Sequence, residues 1–397
     1  MIRLSRALRS FVAVCLTALP LLGPAVASAA AAAPRQEEWW FTTWSVQQKV
    51  WPVSKGAGVT VGVIDTGVDG QLPEFDGRLL PGWDTEGNGT DGRTDTDTQK
   101  DMFDKGGFGH GTGIAALIAA NGARTGMIGL APDARILPVA VRDISGYIAG
   151  MNWAVDHGAS VINISAAWHG NHGEGRCSKD LQDAVDKALE HDVVVVVGSG
   201  NYAGRYFMEP GDCPGVLTVG AVGADIKPWS DSTRHPSVDL AAPGVQIGTL
   251  DRTGKVVRVN GTSASTAFVS AIVALVRSKY PQMSAREVVQ RVLATAKDVG
   301  PAGKDEQTGY GLVMPYRALT AKVAADAPNP VYAEWDRHRA EAPAPTVSAR
   351  PVAESESSAV FTPKRLALIG GGAVVLLAVV GGGAILIGRS RRRTGIG

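Results

Sequence analysis

An α/β fold, a parallel β-sheet sandwiched by helices, is what the sequence predicts, and three observations predict it. Short apolar runs rich in β-branched residues alternate with amphipathic stretches along the chain. Those runs are mainly apolar rather than apolar only at every second residue, the pattern of strands buried on both faces. Gly, Asp or Pro bounds each one, so each stops within strand length. Strands that alternate with helices bury their two kinds of apolar surface best as a layered parallel sheet.

In chain order the predicted strands are residues 59–64, 135–141, 160–164, 193–197 and 216–222. The predicted helices are 110–121, 148–156 and 181–191, followed by a pair at 263–279 and 284–296. Ser284 and Glu287 stand three apart at the start of the last one, which is a capping box. No internal repeat interrupts this order, and residues 56–326 make one large domain.

The two ends have different compositions. Arg3 and Arg6 precede an apolar stretch from Phe11 to Leu22, and Ala27-Ser28-Ala29 offers small residues for cleavage. Residues 1–29 are therefore expected to be a signal peptide. Residues 30–55 form a Trp-rich extension too short for a folded inhibitory prodomain, so none is expected. From Ala327 to Pro363 the chain is rich in Pro, Ala, Glu and Ser, which predicts an extended tether. The uncharged run from Leu366 to Gly388, about 23 residues, is long enough to cross a hydrocarbon core as a helix. Lys364 and Arg365 precede it and Arg389, Arg391, Arg392 and Arg393 follow. The heavier positive side belongs in the cytoplasm, which predicts a type I, single-pass protein whose main domain lies outside the cell membrane. A net charge of +1 gives no reason to expect nucleic acid as a partner.

Cysteine usage agrees with export. With Cys15 inside the signal peptide, Cys177 and Cys213 remain, and a bridge between them would close a loop of about 37 residues worth roughly 3–4 kcal/mol. Two free thiols are the alternative.

Three short segments carry chemistry. Asp65 stands where the first strand opens into Thr66-Gly67, His110 lies between Gly109 and Gly111 at a helix start, and Ser263 opens the helix after Asn260-Gly261-Thr262. An alcohol is a weak nucleophile at neutral pH unless a base stands within hydrogen-bond reach. His110 can take that proton, and Asp65 can fix its tautomer and favour its charged form. Singly, Asp-Thr-Gly reads as a strand-end turn and Thr-Ser as a helix cap. The order Asp–His–Ser, each at an element boundary, is what argues for a catalytic set. An aspartic-type dyad needs a second such carboxylate motif, and the chain has none.

These motifs and their order resemble the subtilisin superfamily. The resemblance covers residues 56–319. It implies an endopeptidase acting on polypeptide substrates through an acyl-enzyme, with no cofactor required and no metal at the site. It further implies that Asn201, after Val194–Gly198-Ser199-Gly200, donates to the oxyanion together with the backbone N–H of Ser263. Ser165, Ala166, Ala167 and Trp168, with Ser199 and Gly200, are implied to line the substrate pocket. The family usually has Gly-Gly at Ala167-Trp168, so a narrow pocket for small side chains is expected. It also usually has proline at Ala267.

A narrower resemblance, to the mycosins of type VII secretion systems, rests on Glu37-Glu38-Trp39-Trp40 with Trp44, on Leu130-Ala131-Pro132-Asp133-Ala134, on Val238–Pro243-Gly244, and on the tether, span and basic tail. It implies a secretion membrane complex as partner. It also admits a second role, a structural subunit of that complex with proteolysis secondary. The polar insertion from Asp84 to Asp104 reads as a solvated loop, and with the loop from His169 to Lys179 offers docking surfaces. Asp84, Glu86, Asn88, Gly89 and Asp95 superficially echo a calcium loop, which makes structural calcium the alternative there. His169 and His172 beside Cys177 read as a surface loop, with zinc the alternative.

Overall fold

In the computed structural model, residues 34–87, 89–97, 107–169 and 177–341 are described. The predicted signal peptide, the span and basic tail, most of the tether, and Asn88, Asp101, Asp104 and His172 lie outside them. Contacts divide the chain into a unit ending at Ala342 and another from Pro343 on, and only the first contains described residues.

Strand β1, Thr60–Asp65, is buried at every residue, as its unbroken apolar pattern requires. The others are β2, Trp83–Asp84; β3, Arg135–Ala140; β4, Val161–Ile164; β5, Trp168–His169; β6, Val194–Gly198; β7, Met208–Glu209; β8, Leu217–Val222; β9, Val238–Pro243; β10, Ile247–Leu250; and β11, Val256–Val259. Seven form one sheet in the order β2-β3-β1-β4-β6-β8-β9, every neighbouring pair parallel. β10 and β11 form an antiparallel hairpin, and β5 pairs with β7. All five predicted strands are present. β9 joins the sheet edge unpredicted, because Asp239 interrupts its apolar run.

Helices α1, Trp40–Trp44, α2, His110–Ala119, α3, Ile144–Asp156, α4, Lys179–Glu190, α5, Thr262–Lys279, α6, Ala285–Ala294, α7, Pro315–Thr320, and α8, Pro330–Glu341, complete the domain. α2 and α5 pack on one another and on the sheet, while α3 and α4 pack together against β1, β3 and β6. α5 is buried along most of its length, Thr262, Ser265, Thr266 and Ser270 included, so it runs through the centre of the core. α6 begins with the expected capping box, both of its hydrogen bonds formed. α3 starts four residues before its predicted start, because the Asp143 side chain caps it by accepting from the Gly146 N–H at 2.7 Å.

The tether expectation fails at its beginning. Val331 and Tyr332 of α8 are buried, Trp335 donates to Asp186 at 2.9 Å, and Arg286 forks onto Asp336 at 2.8 and 2.7 Å. Composition hid three apolar residues at helical spacing, and those residues dock the segment.

Candidate active site

β1 lies between β3 and β4, so the chain moves outward on one side of it and then returns to build the other. Such a reversal leaves a crevice at the carboxyl ends of the strands. Asp65 closes β1 there. Ser165 follows β4, Asn201 follows β6, and the starts of α2 and α5 bring His110 and Ser263.

Asp65 Oδ1 accepts the Thr66 N–H at 2.8 Å and lies 2.7 Å from His110 Nδ1. That contact makes Nδ1 the donor and leaves Nε2 for proton transfer. Two glycines let the helix start approach so closely. A Cβ on Gly111 would sit 2.1 Å from the Gly67 carbonyl oxygen, and one on Gly109, with φ +84°, would sit 2.5 Å from Arg252 Cβ.

The acidic insertion is built into this turn, which corrects its reading as a solvated loop. Asp84 and Asp95 are buried. Asp95 accepts from the hydroxyls of Thr66 and Thr112 at 2.9 and 2.5 Å and from the Thr112 N–H at 2.9 Å. Asp97 accepts the N–H groups of Gly109 and His110 at 3.0 and 3.2 Å, so it caps α2. Burial alone would lower the His110 pKa. The negative charges of Asp65, Asp95 and Asp97, with the Asp65 hydrogen bond, outweigh it and raise the value from 6.5 to about 9.

Ser263 and His110 line the same cleft, of about 720 Å³. The serine hydroxyl does not donate to His110; it donates to the Ser165 carbonyl at 3.0 Å. Asn201 lines the cleft too. Its Oδ1 accepts both the Thr262 N–H and the Thr262 hydroxyl at 3.0 Å, which turns the amide nitrogen away as a donor. Ser263 lies in the first turn of α5, where its own N–H has no helical acceptor.

A second recess, about 80 Å³, opens from Asn201 and Ser263 between Ser165, Ala166, Ala167 and Gly200. Two residues expected to line it do not. Ser199 is buried beneath, against Ser232 at 3.3 Å, and the Trp168 indole donates to Glu209 at 3.0 Å from β5. Tyr202 and Thr262 line the recess instead. Sequence reasoning missed them, together with Asp95 and Asp97; the Thr-rich run Thr94-Asp95-Thr96-Asp97 was the available signal. Cys177 and Cys213 are disulfide-bonded, with Cα atoms 4.9 Å apart. Among the described residues no group of three or more His, Cys, Asp and Glu could hold a metal ion.

The sequence profile of the subtilase family, peptidase family S8, matches residues 56–311. Mycosin-1 of Mycobacterium tuberculosis is 32% identical over 72% of this chain and 74% of its own. Fervidolysin of Fervidobacterium pennivorans is 32% identical over 69% of this chain, which spans only 42% of that relative. Among solved structures, MycP1 with its N-terminal propeptide removed superposes with a TM-score of 0.62 at 30% identity, over 73% of this chain and 98% of that one. A chain of the periplasmic assembly from the ESX-5 inner membrane complex superposes with a TM-score of 0.63 at 27% identity, over 74% and 86%. With the family profile covering the whole sheet and the segments of Asp65, His110 and Ser263, the chain belongs to the subtilase family of serine endopeptidases and is mycosin-like within it.

Proposed function

We propose that this chain is a membrane-anchored, extracytoplasmic serine endopeptidase that works with a type VII secretion complex. One observation carries the chemistry: the Asp65–His110 hydrogen bond of 2.7 Å opens onto the cleft that Ser263 and Asn201 also line. In this reading the Ser263 hydroxyl leaves the Ser165 carbonyl, gives its proton to His110 Nε2, and its oxygen bonds to the substrate carbonyl carbon. The carbonyl oxygen takes the negative charge between the Ser263 N–H and the Asn201 amide. His110 then passes the proton to the departing amine as the C–N bond breaks, leaving an acyl-serine. Water then gives a proton to His110 as its oxygen bonds to the acyl carbon, and His110 returns that proton to Ser263 Oγ as the ester bond breaks and the acid leaves. No cofactor takes part.

The recess beside Ala167 supports small side chains on the acyl side of the scissile bond. A Cβ on Gly200 would lie 3.4 Å from the Ala167 methyl, so the two walls stand close together. Peptides with alanine before the scissile bond are expected to be cut faster than those with phenylalanine. The reverse order would remove the narrow-pocket reading.

Membrane anchoring rests on the sequence pattern of residues 366–388, and among the described residues no helix is long and apolar enough to cross a membrane. The secretion link rests on the likeness to mycosin-1 and to a chain of the ESX-5 assembly. That assembly also favours a second reading, a structural subunit whose proteolysis is secondary. A fluorophosphonate probe tests the first: the intact protein is expected to be labelled, and Ser263→Ala is expected not to be. In the producing bacterium, secretion that survives Ser263→Ala but not deletion supports the structural role. Loss with both supports proteolysis.

A further inference from the structure

The large cleft has a direction. The small recess touches Ser263 and Asn201 but not His110, whereas the large cleft touches all three. In the mechanism above His110 hands its proton to the departing amine, so it must stand on the leaving-group side. The 720 Å³ cleft beyond His110 therefore faces the residues that follow the scissile bond.

Its wall is formed by the β10–β11 hairpin, which brings Arg252, Lys255 and Arg258 to the cleft against two carboxylates, Asp231 and Asp251. Asp251 is engaged within the hairpin turn, accepting from the Thr253 N–H, the Thr253 hydroxyl and the Lys255 N–H at 2.7–2.9 Å. Arg258 has Glu37 within 3.9 Å. Among the described residues, Arg252 and Lys255 have no ion-pair partner. The backbone of Arg252 is also anchored beside the turn that carries His110. Its N–H donates to the Phe108 carbonyl at 2.9 Å, and its Cβ occupies the space that a side chain at position 109 would need.

We infer that this cleft is a specificity site for acidic peptide, in which Arg252, seconded by Lys255, pairs with an Asp or Glu side chain at the first or second position after the scissile bond. With its backbone and Cβ fixed next to the reacting centre, the half-buried Arg252 presents its charge to the cleft from a fixed base, and the exposed Lys255 adds to the same positive field. The volume accommodates more than one side chain, so the two positions after the scissile bond fit within it. This inference rests on the endopeptidase reading.

The test uses the full-length protein in detergent micelles and internally quenched peptides with alanine before the scissile bond. The two following positions carry Asp, Glu, Ala or Lys. Acidic peptides are expected to exceed lysine peptides in kcat/KM by about fivefold or more at low salt, and the ratio is expected to shrink as salt rises. Arg252→Glu with Lys255→Glu is expected to invert the ratio, and Lys279→Glu, exposed at the far end of α5, to leave it unaltered. Fluorophosphonate labelling separates the two ways of failing, because the probe carries no peptide on its leaving-group side. Labelling and cleavage with no acidic preference would overturn this inference and leave the endopeptidase reading standing. Neither labelling nor cleavage would overturn both.

Discussion

Ser165 and Ser263 hold one another twice: the Ser263 hydroxyl donates to the Ser165 carbonyl at 3.0 Å, and the Ser165 hydroxyl donates to the Ser263 carbonyl at 3.1 Å. Ser165 also accepts from the Asn163 amide at 2.9 Å, and Asn163 in turn accepts from Ser270 on α5 at 2.9 Å. Ser263, the proposed nucleophile, is thereby tied to the wall of the smaller recess through a buried polar chain.

Ser165→Ala tests that tie. It leaves the buried Asn163 amide and the Ser263 carbonyl without this partner, which costs about 1–3 kcal/mol. Thermal unfolding is expected to begin about 2–8 °C lower. Labelling of Ser263 is expected to slow as well, because the start of α5 loses an anchor. An unchanged Tm would show that the pairing contributes nothing.

Asn201→Asp separates the two faces of one side chain. Aspartate keeps an oxygen where Asn201 Oδ1 accepts from Thr262, so the turn survives. The donor facing the cleft is replaced by a second acceptor carrying negative charge. A fall in kcat of at least about 10²-fold is expected, with Tm within a few degrees of the parent. A comparable loss of Tm would mean that Asn201 is mainly structural.

The charge around His110 sets a pH dependence. A general base must be unprotonated in the free enzyme, and here the imidazole pKa is raised from 6.5 to about 9. The acidic limb of kcat/KM should therefore lie well above 6.5, with activity rising toward pH 9. Asp97→Asn keeps an oxygen to accept from Gly109 and His110 but removes one negative charge, so the limb should move down. Stability runs the other way. Protonation of His110 favours the fold, a contribution present below pH 6.5 and lost as pH climbs through 9. Burial raises Glu38 and Asp239 to about 7 and Asp95 to about 6, so their ionisation also opposes folding as pH rises. Tm is expected to be higher at pH 6 than at pH 9, and a pH-rate limb at or below 6.5 would contradict the charge argument.

The sheet and the placing of the three proposed catalytic residues at element boundaries were legible because both follow from local rules. Unbroken apolar runs mark strands buried on two faces, and Asp65, His110 and Ser263 each stand at the end or start of an element. Partnerships that depend on the third dimension were not legible. Nothing local says that Asp95 lies under Thr66 and Thr112, 29 and 17 residues away, or that Asp97 caps α2 from outside it. The same holds for Trp168, whose side chain leaves the pocket because Glu209, on another strand, accepts its indole N–H. Composition misled at α8, where Pro, Ala and Glu outnumber the residues that dock it.

The N-terminal segment is part of the core rather than a cover for the site. Trp40 is fully buried, its ring 4.7 Å from Phe268 on α5, and Trp44 meets the same ring edge-on at 5.6 Å. Glu38, also buried, accepts the N–H of Ile128 at 2.9 Å and of Arg35 at 2.8 Å, which pins the segment to the loop after α2. None of these residues lines either cleft. Trp40→Ala should therefore cost about 3–5 kcal/mol through the lost contacts and the cavity left behind. Trp40→Phe should cost much less, because it keeps a ring and removes an indole N–H that has no partner among the described residues. Labelling of Ser263 per folded molecule should stay unchanged in Trp40→Phe. Faster labelling in that variant, without loss of Tm, would instead identify the segment as a brake on the active site.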